Sequence, residues 1–205
     1  QQISLVSKEV DKFSDRATLF SILSLEYPSN NIGVSKAKKW MAKSLSIFEE
    51  EIISSYNALN DLGDVAYAEH MSKATDRPTI LKTVLSLLSM DCGGISSNEY
   101  ALFESHFNDM SALERKWFIK YWIRAPRNGI NIGVVQKMLA KCYDKKVSEV
   151  KHHTNFNSIH TTTTYYEMKE EPSCSLEHGK FLKPMLAKEI PMKKWPVEKI
   201  VDYKY

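Results

Sequence analysis

Apolar residues fall at helical spacing from the start of the chain. Val10, Phe13, Ala17, Phe20 and Leu23 to Leu25 predict one or two helices between residues 3 and 25, ended by the turn run Tyr27-Pro28-Ser29-Asn30-Asn31. A second helix is predicted over 35–48, with Trp40, Met41, Leu45 and Phe48 inward and Lys36, Lys38, Lys39 and Lys43 outward. The pattern continues helically over 49–58 through Ile52, Ile53 and Tyr56, breaks at Asn60-Asp61-Leu62-Gly63-Asp64, and restarts over 65–72. After the Thr75-Asp76-Arg77-Pro78 turn, an apolar helix over 79–90 ends at Asp91-Cys92-Gly93-Gly94. Ser96 or Ser97 then caps a helix through Tyr100, Leu102, Phe103 and Phe107. Ser111 and Glu114 have the spacing of a capping box, which predicts a helix over 112–123. Ala125-Pro126-Arg127-Asn128-Gly129 closes it, and helices follow over 134–143 and 146–150. Residues 1–150 therefore read as one all-helical domain.

The character of the chain changes after Lys151. A histidine pair, four threonines at 161–164, Tyr165-Tyr166 and an acidic run ending at Pro172 read as an interdomain linker over 151–179, with an extended Thr/Tyr piece lying against the helices. His152, His153, His160, Cys174 and His178 raise zinc as a question, but their spacings fit no standard ligand pair, and a polar linker without metal is the expectation. The last stretch, residues 180–205, ends in Ile200-Val201-Asp202-Tyr203-Lys204-Tyr205, a β-branched and aromatic run that predicts a strand. Alternation would point Val201, Tyr203 and Tyr205 one way and Asp202 and Lys204 the other.

Composition narrows the setting. Hydrophobic residues make up 43% of 205, enough for a sizeable core, and no apolar run approaches membrane-spanning length. Three cysteines without CxxC spacing fit a reduced, intracellular compartment. The net charge of +3 says little, but its distribution says more. From Arg115 to Lys151 lie Arg115, Lys116, Lys120, Arg124, Arg127, Lys137, Lys141, Lys145, Lys146 and Lys151, against only Asp144 and Glu149. Two readings stand: a face for a polyanion, or an ordinary solvated helical face.

Two segments echo one another. Asn31-Ile32-Gly33-Val34 returns as Asn131-Ile132-Gly133-Val134, each ahead of a lysine-bearing helix. A duplicated turn-plus-helix unit would present backbone amides and lysines suited to phosphate oxygens.

The helical region resembles the N-terminal DNA-binding domain of archaeal, eukaryotic and viral ATP-dependent DNA ligases. Asn60-Asp61-Leu62-Gly63-Asp64-Val65-Ala66 looks like that family's Gly-Asp-Leu-Gly-Glu/Asp-Val-Ala segment. Leu113-Glu114-Arg115-Lys116-Trp117-Phe118-Ile119-Lys120 looks like its Glu-Ala-Lys-Tyr-Leu-Val-Arg helix, and Arg127-Asn128-Gly129-Ile130 like its Arg-x-Gly-Ile turn. Near the end, Lys183-Pro184-Met185-Leu186-Ala187 and Asp202-Tyr203-Lys204-Tyr205 resemble the opening of the adenylation domain, whose motif is Lys-x-Asp-Gly. The chain departs from the family at Asn60 and Asn131, where glycine is common, and in the 93–99 loop, which lacks the family's lysine.

The resemblance implies a fold that is mainly α, an all-helical domain followed by the opening strand of an α+β nucleotidyltransferase domain. It implies ATP and Mg²⁺ as cofactors and nicked duplex DNA as partner, with a sliding clamp as a further partner. The implied location is the cytoplasm of an archaeal or viral host, or a eukaryotic nucleus. In that chemistry Lys204 attacks the α-phosphate of ATP, AMP passes to the 5′-phosphate of the nick, and the 3′-hydroxyl displaces it. Asp202 and Tyr203 would line the nucleotide, Asp202 either accepting from the adenine amino group or pairing with Lys199. The implied DNA contacts are Gly33, Ser35, Lys36, Gly63, Gly94, Ser96, Ser97, Arg127, Asn128 and Gly129. Because the Asp-Gly after Lys204 is not in the sequence, the 205 residues are expected to be a piece of a longer enzyme that neither ligates nor self-adenylates alone. The competing reading is a non-catalytic helical module that binds nucleic acid or protein.

Overall fold

A computed structural model describes residues 15–30, 32–69, 81–92 and 97–174. Ten helices follow one another among these residues, with no strand. They are α1 (Arg16–Leu23), α2 (Val34–Leu45), α3 (Glu49–Leu59), α4 (Leu62–Ala68), α5 (Leu81–Leu88), α6 (Ser97–Asp109), α7 (Ala112–Trp122), α8 (Ile132–Cys142), α9 (Val147–Phe156) and α10 (Ile159–Glu167). The mainly helical expectation holds for the described residues; the strand expected near Lys204 lies outside them. None of these helices is long and apolar enough to cross a membrane.

Local chemistry explains most of the boundaries. Asp15 caps α1 by accepting from the Thr18 amide at 3.0 Å. The Ser111–Glu114 capping box forms as its spacing predicts: the Ser111 amide donates to Glu114 Oε2 at 2.8 Å, and the Glu114 amide donates to Ser111 Oγ. Helices α2 and α3 end on Ser46 and Asn60, both left-handed, with φ of 57° and 52°. The break at Ser46 turns the chain before Phe48, which is 75% exposed rather than inward as the periodicity suggested.

The segment after residue 150 also departs from expectation. Thr161 to Tyr166 are helical, not extended, and α9 and α10 continue the helical body. Ser158 caps α10 by accepting from the Thr161 amide at 3.0 Å. The Thr163 and Thr164 hydroxyls donate to the carbonyls of Ile159 and His160 one turn back, so these two β-branched residues sit in a helix with their hydroxyls satisfied, whereas the buried Thr162 hydroxyl has no partner.

Two apolar clusters hold the body together. The larger draws Met41 from α2, Ile52 from α3, Leu62 and Val65 from α4, Leu87 and Leu88 from α5, and Phe103, Phe107, Ile119 and Trp122 from α6 and α7. Its centre is an aromatic pile. Phe103 stacks on Trp122 with centroids 4.7 Å apart and on Phe107 at 4.9 Å, while Trp40 leans on Trp122 at 5.6 Å. Each fully buried ring of this size contributes roughly 1.5–3 kcal/mol relative to exposure. The smaller cluster joins Phe20 to Val135, Met138 and Leu139 of α8, Val150 of α9, and Ile159 and Tyr166 of α10. Helix α1 serves both, since Ile22 enters the larger one.

Candidate nucleic-acid interface

The segment Asp61-Leu62-Gly63-Asp64-Val65-Ala66 forms a capped helix start pressed onto α7. Asp61 Oδ1 accepts from the Gly63 and Asp64 amides at 2.9 and 3.1 Å, closing the N-terminus of α4. Its other oxygen accepts from Lys120 Nζ at 2.9 Å, and Lys120 also lies 3.7 Å from Asp64. Lys116 pairs with Asp64 and holds its carboxyl below the usual range. Gly63 is buried at this contact, and a Cβ there would stand 2.5 Å from Lys120 Cγ and 2.6 Å from the Lys116 carbonyl oxygen. Glycine is therefore needed for the helices to approach, and its amide is already taken by Asp61. The role the structure gives Gly63, expected as a DNA contact, is packing between α4 and α7.

Three turns meet beside this joint. A small open cleft is lined by Val34 at the start of α2, by Tyr56, Asn60, Asp61 and Leu62 around the α3–α4 turn, and by Ile123, Ala125 and Arg127 after α7. Arg127 is exposed and donates from Nη1 to the Asn60 carbonyl at 3.1 Å, tying two of the turns together. Asn60, which stands where the ligase family often has glycine, adopts φ of 52°, a conformation asparagine tolerates better than most residues. Gly129 takes φ of 73° with nothing within 4 Å of a Cβ position, so it is required by backbone shape and not by crowding. Asn128 builds the turn: its Oδ1 accepts from the Ile130 amide at 3.0 Å and its Nδ2 donates to the Tyr121 hydroxyl at 2.9 Å.

Next to the cleft-lining Val34, Gly33 is the N-cap of α2 and makes no side-chain cap, leaving the exposed first turn at Val34 and Ser35 without one. Lys36 turns inward, donating to the Cys92 carbonyl. Lys38 lies 3.6 Å over the ring of Tyr56, a cleft-lining residue, and places a second cation at the rim besides Arg127. The periodicity marked Lys38 only as outward-facing; its proximity to the cleft depends on the α2–α3 turn and could not be read from spacing.

The two echoed segments differ in register. Gly33 caps α2, whereas Asn131 caps α8 by accepting from the Val134 amide at 3.1 Å, which puts Gly133 inside the first turn. They are not equivalent anion sites.

The basic segment divides in two. Arg115 is 3% exposed and donates to the carbonyls of Phe107 and Asn108. Lys116 and Lys120 meet the aspartates of α4, Arg124 donates to the carbonyls of Leu25 and Tyr27, and Lys145 pairs with Glu149 and Glu171. Lys137, Lys141, Lys146 and Lys151 are exposed. Ser97 opens α6; Gly94, Ser96, Asp202, Tyr203 and Lys204 lie outside the described residues; of the rest of the expected set Arg127 lines the cleft, Gly33 and Ser35 flank the cleft-lining Val34, and Asn128 and Gly129 follow Arg127 in the chain. Compared with known proteins by sequence, the chain matches no protein-family model and no curated protein.

Proposed function

We propose that this chain is the DNA-gripping region of an ATP-dependent DNA ligase, joined to the start of its adenylation domain. The observation that supports the reading is the meeting of three turns at one cleft, each from a segment that resembles the family or presents an exposed helix start. An uncapped α2 terminus, the Arg127 guanidinium and the Lys38 ammonium are groups that attract phosphate oxygens without reading bases. A nick-sealing enzyme has to accept any sequence, and backbone contacts of this kind suit that task. In the same proposal Lys204 is the nucleophile towards ATP, Asp202 and Tyr203 border the nucleotide, Mg²⁺ neutralises the phosphates, and nicked duplex DNA is the partner, with a sliding clamp as a second one.

The experiment is a titration of labelled nicked and intact duplexes, of unrelated sequences, at increasing salt. Binding should be indifferent to sequence and should weaken steeply with salt as counterions are released. Arg127→Ala should weaken all duplexes alike, by about 1 kcal/mol. Absence of binding at low salt, or affinity that salt leaves unchanged, refutes the reading.

A further inference from the structure

At the edge of the smaller apolar cluster lies a group of side chains that the DNA-binding reading does not use. Glu149 and His153 are one turn apart on α9, Glu171 follows α10, and one ligand atom from each lies within 4.8 Å of the others. His153 is 7% exposed. Its Nδ1 is 2.7 Å from the hydroxyl of Tyr166, and its Nε2 is 3.6 Å from Glu171 Oε2. Tyr166 is itself buried. In the tautomer whose Nδ1–H donates to the Tyr166 oxygen, the ring is held in place and Nε2 keeps its lone pair towards the carboxylates, as in a metal-binding histidine.

Lys145, between α8 and α9, now serves these carboxylates. Its Nζ lies 3.1 Å from Glu149 Oε1 and also bonds Glu171 Oε1. One ammonium against two carboxylates leaves a negative charge over. The Lys145 side chain is 27% exposed and borders an open groove that is also lined by Cys142, Tyr143 and Lys169, so it has room to swing away.

We propose that Glu149, His153 and Glu171 form a binding site for a divalent transition ion of the zinc class, with Lys145 as the tethered cation that the ion displaces. An imidazole nitrogen with two carboxylate oxygens suits zinc or cobalt, whereas magnesium and calcium prefer shells made of oxygen alone. Water completes the coordination. The site shares no residue with the cleft, and its role is mechanical. The ion fastens the segment after α10 to α9, adding to the Asn157 Nδ2 bond to the Ser173 carbonyl at 2.9 Å and to the burial of Pro172.

The test is equilibrium dialysis of the full chain against Zn²⁺, with the visible absorption of Co²⁺ as a second reading of the ligand set. One tight equivalent is expected. Glu171→Gln and His153→Gln should each weaken it at least tenfold, and Tyr166→Phe about tenfold through loss of the orienting hydroxyl. Lys145→Met should tighten it severalfold, because the competing ammonium is gone. Should His153→Gln fail to fold, Glu171→Gln carries the decision, since its side chain is 59% exposed. No tight equivalent, binding that Glu171→Gln leaves unchanged, or a Lys145→Met chain that binds no tighter overturns the proposal.

Discussion

On α7, Arg115 donates to two backbone carbonyls and Lys116 and Lys120 close on Asp64 and Asp61, whereas on α8 Lys137 and Lys141 stand exposed one turn apart. The two helices carry cations at similar density. On the first they brace one helix against another; on the second they face solvent and are available to a polyanion. Charge counted along a chain is therefore not the charge a ligand meets. What separates the two uses is the position of acidic partners more than fifty residues away, an arrangement only the fold determines.

The sharpest way to break that contrast is to unpair α7. Lys120→Met leaves Asp61 without its cation at a joint where both side chains are largely buried, and should cost about 3 kcal/mol in a urea melt. Adding Asp61→Asn should return part of the loss, which a double-mutant cycle measures. If Lys120→Met is neutral, the pair is ornamental and the contrast fails. Next in size is Gly63→Ala, where the new methyl meets a backbone oxygen that cannot swing aside. A cost of about 2 kcal/mol is expected there, against about 0.5 kcal/mol for Gly33→Ala, whose Cβ position is open.

The α8 side of the contrast is sharpened through binding. Lys137→Gln combined with Lys141→Gln should leave the melting midpoint unchanged and reduce the salt slope of DNA binding by roughly 1 for each lysine that neutralises a phosphate. A shifted melt with an unchanged slope would assign α8 the same internal use as α7. The smallest effect concerns acid. Lys116 holds the Asp64 carboxyl below its ordinary value of 3.8, so this pair adds stability above that pH and loses it as pH falls through the folded-state value. Denaturation midpoints followed downward from pH 5 should drop less in Asp64→Asn than in the parent chain.

Features built from neighbouring residues were legible in the sequence. The Ser111–Glu114 box and the Asn128-Gly129 turn depend on three or four adjacent positions, and they stand where spacing puts them. The threonine run was not legible. Propensity favours extension there, but the Thr163 and Thr164 hydroxyl bonds one turn back favour the helix. Phe48 misled because one left-handed residue, Ser46, rotates everything after it out of phase. At the cleft, glycines and arginines hinted at turns, but Gly63 and Lys36 looked like surface groups until their partners, Lys120 and Cys92, were placed beside them.

The aromatic pile at the centre of the larger cluster makes the protein its own optical gauge. Trp40 and Trp122 lie within 5.6 Å of each other in a fixed chiral arrangement, while Trp117 sits 37% exposed on the outer side of α7. This pair should contribute a near-ultraviolet circular dichroism signal that is lost with specific packing, even if helix content survives. Trp117, at 37% exposure, should answer to a collisional quencher more readily than the fully buried Trp122. With the fourth tryptophan removed by Trp195→Phe, one unlabelled sample thus distinguishes a loosened core from an altered surface.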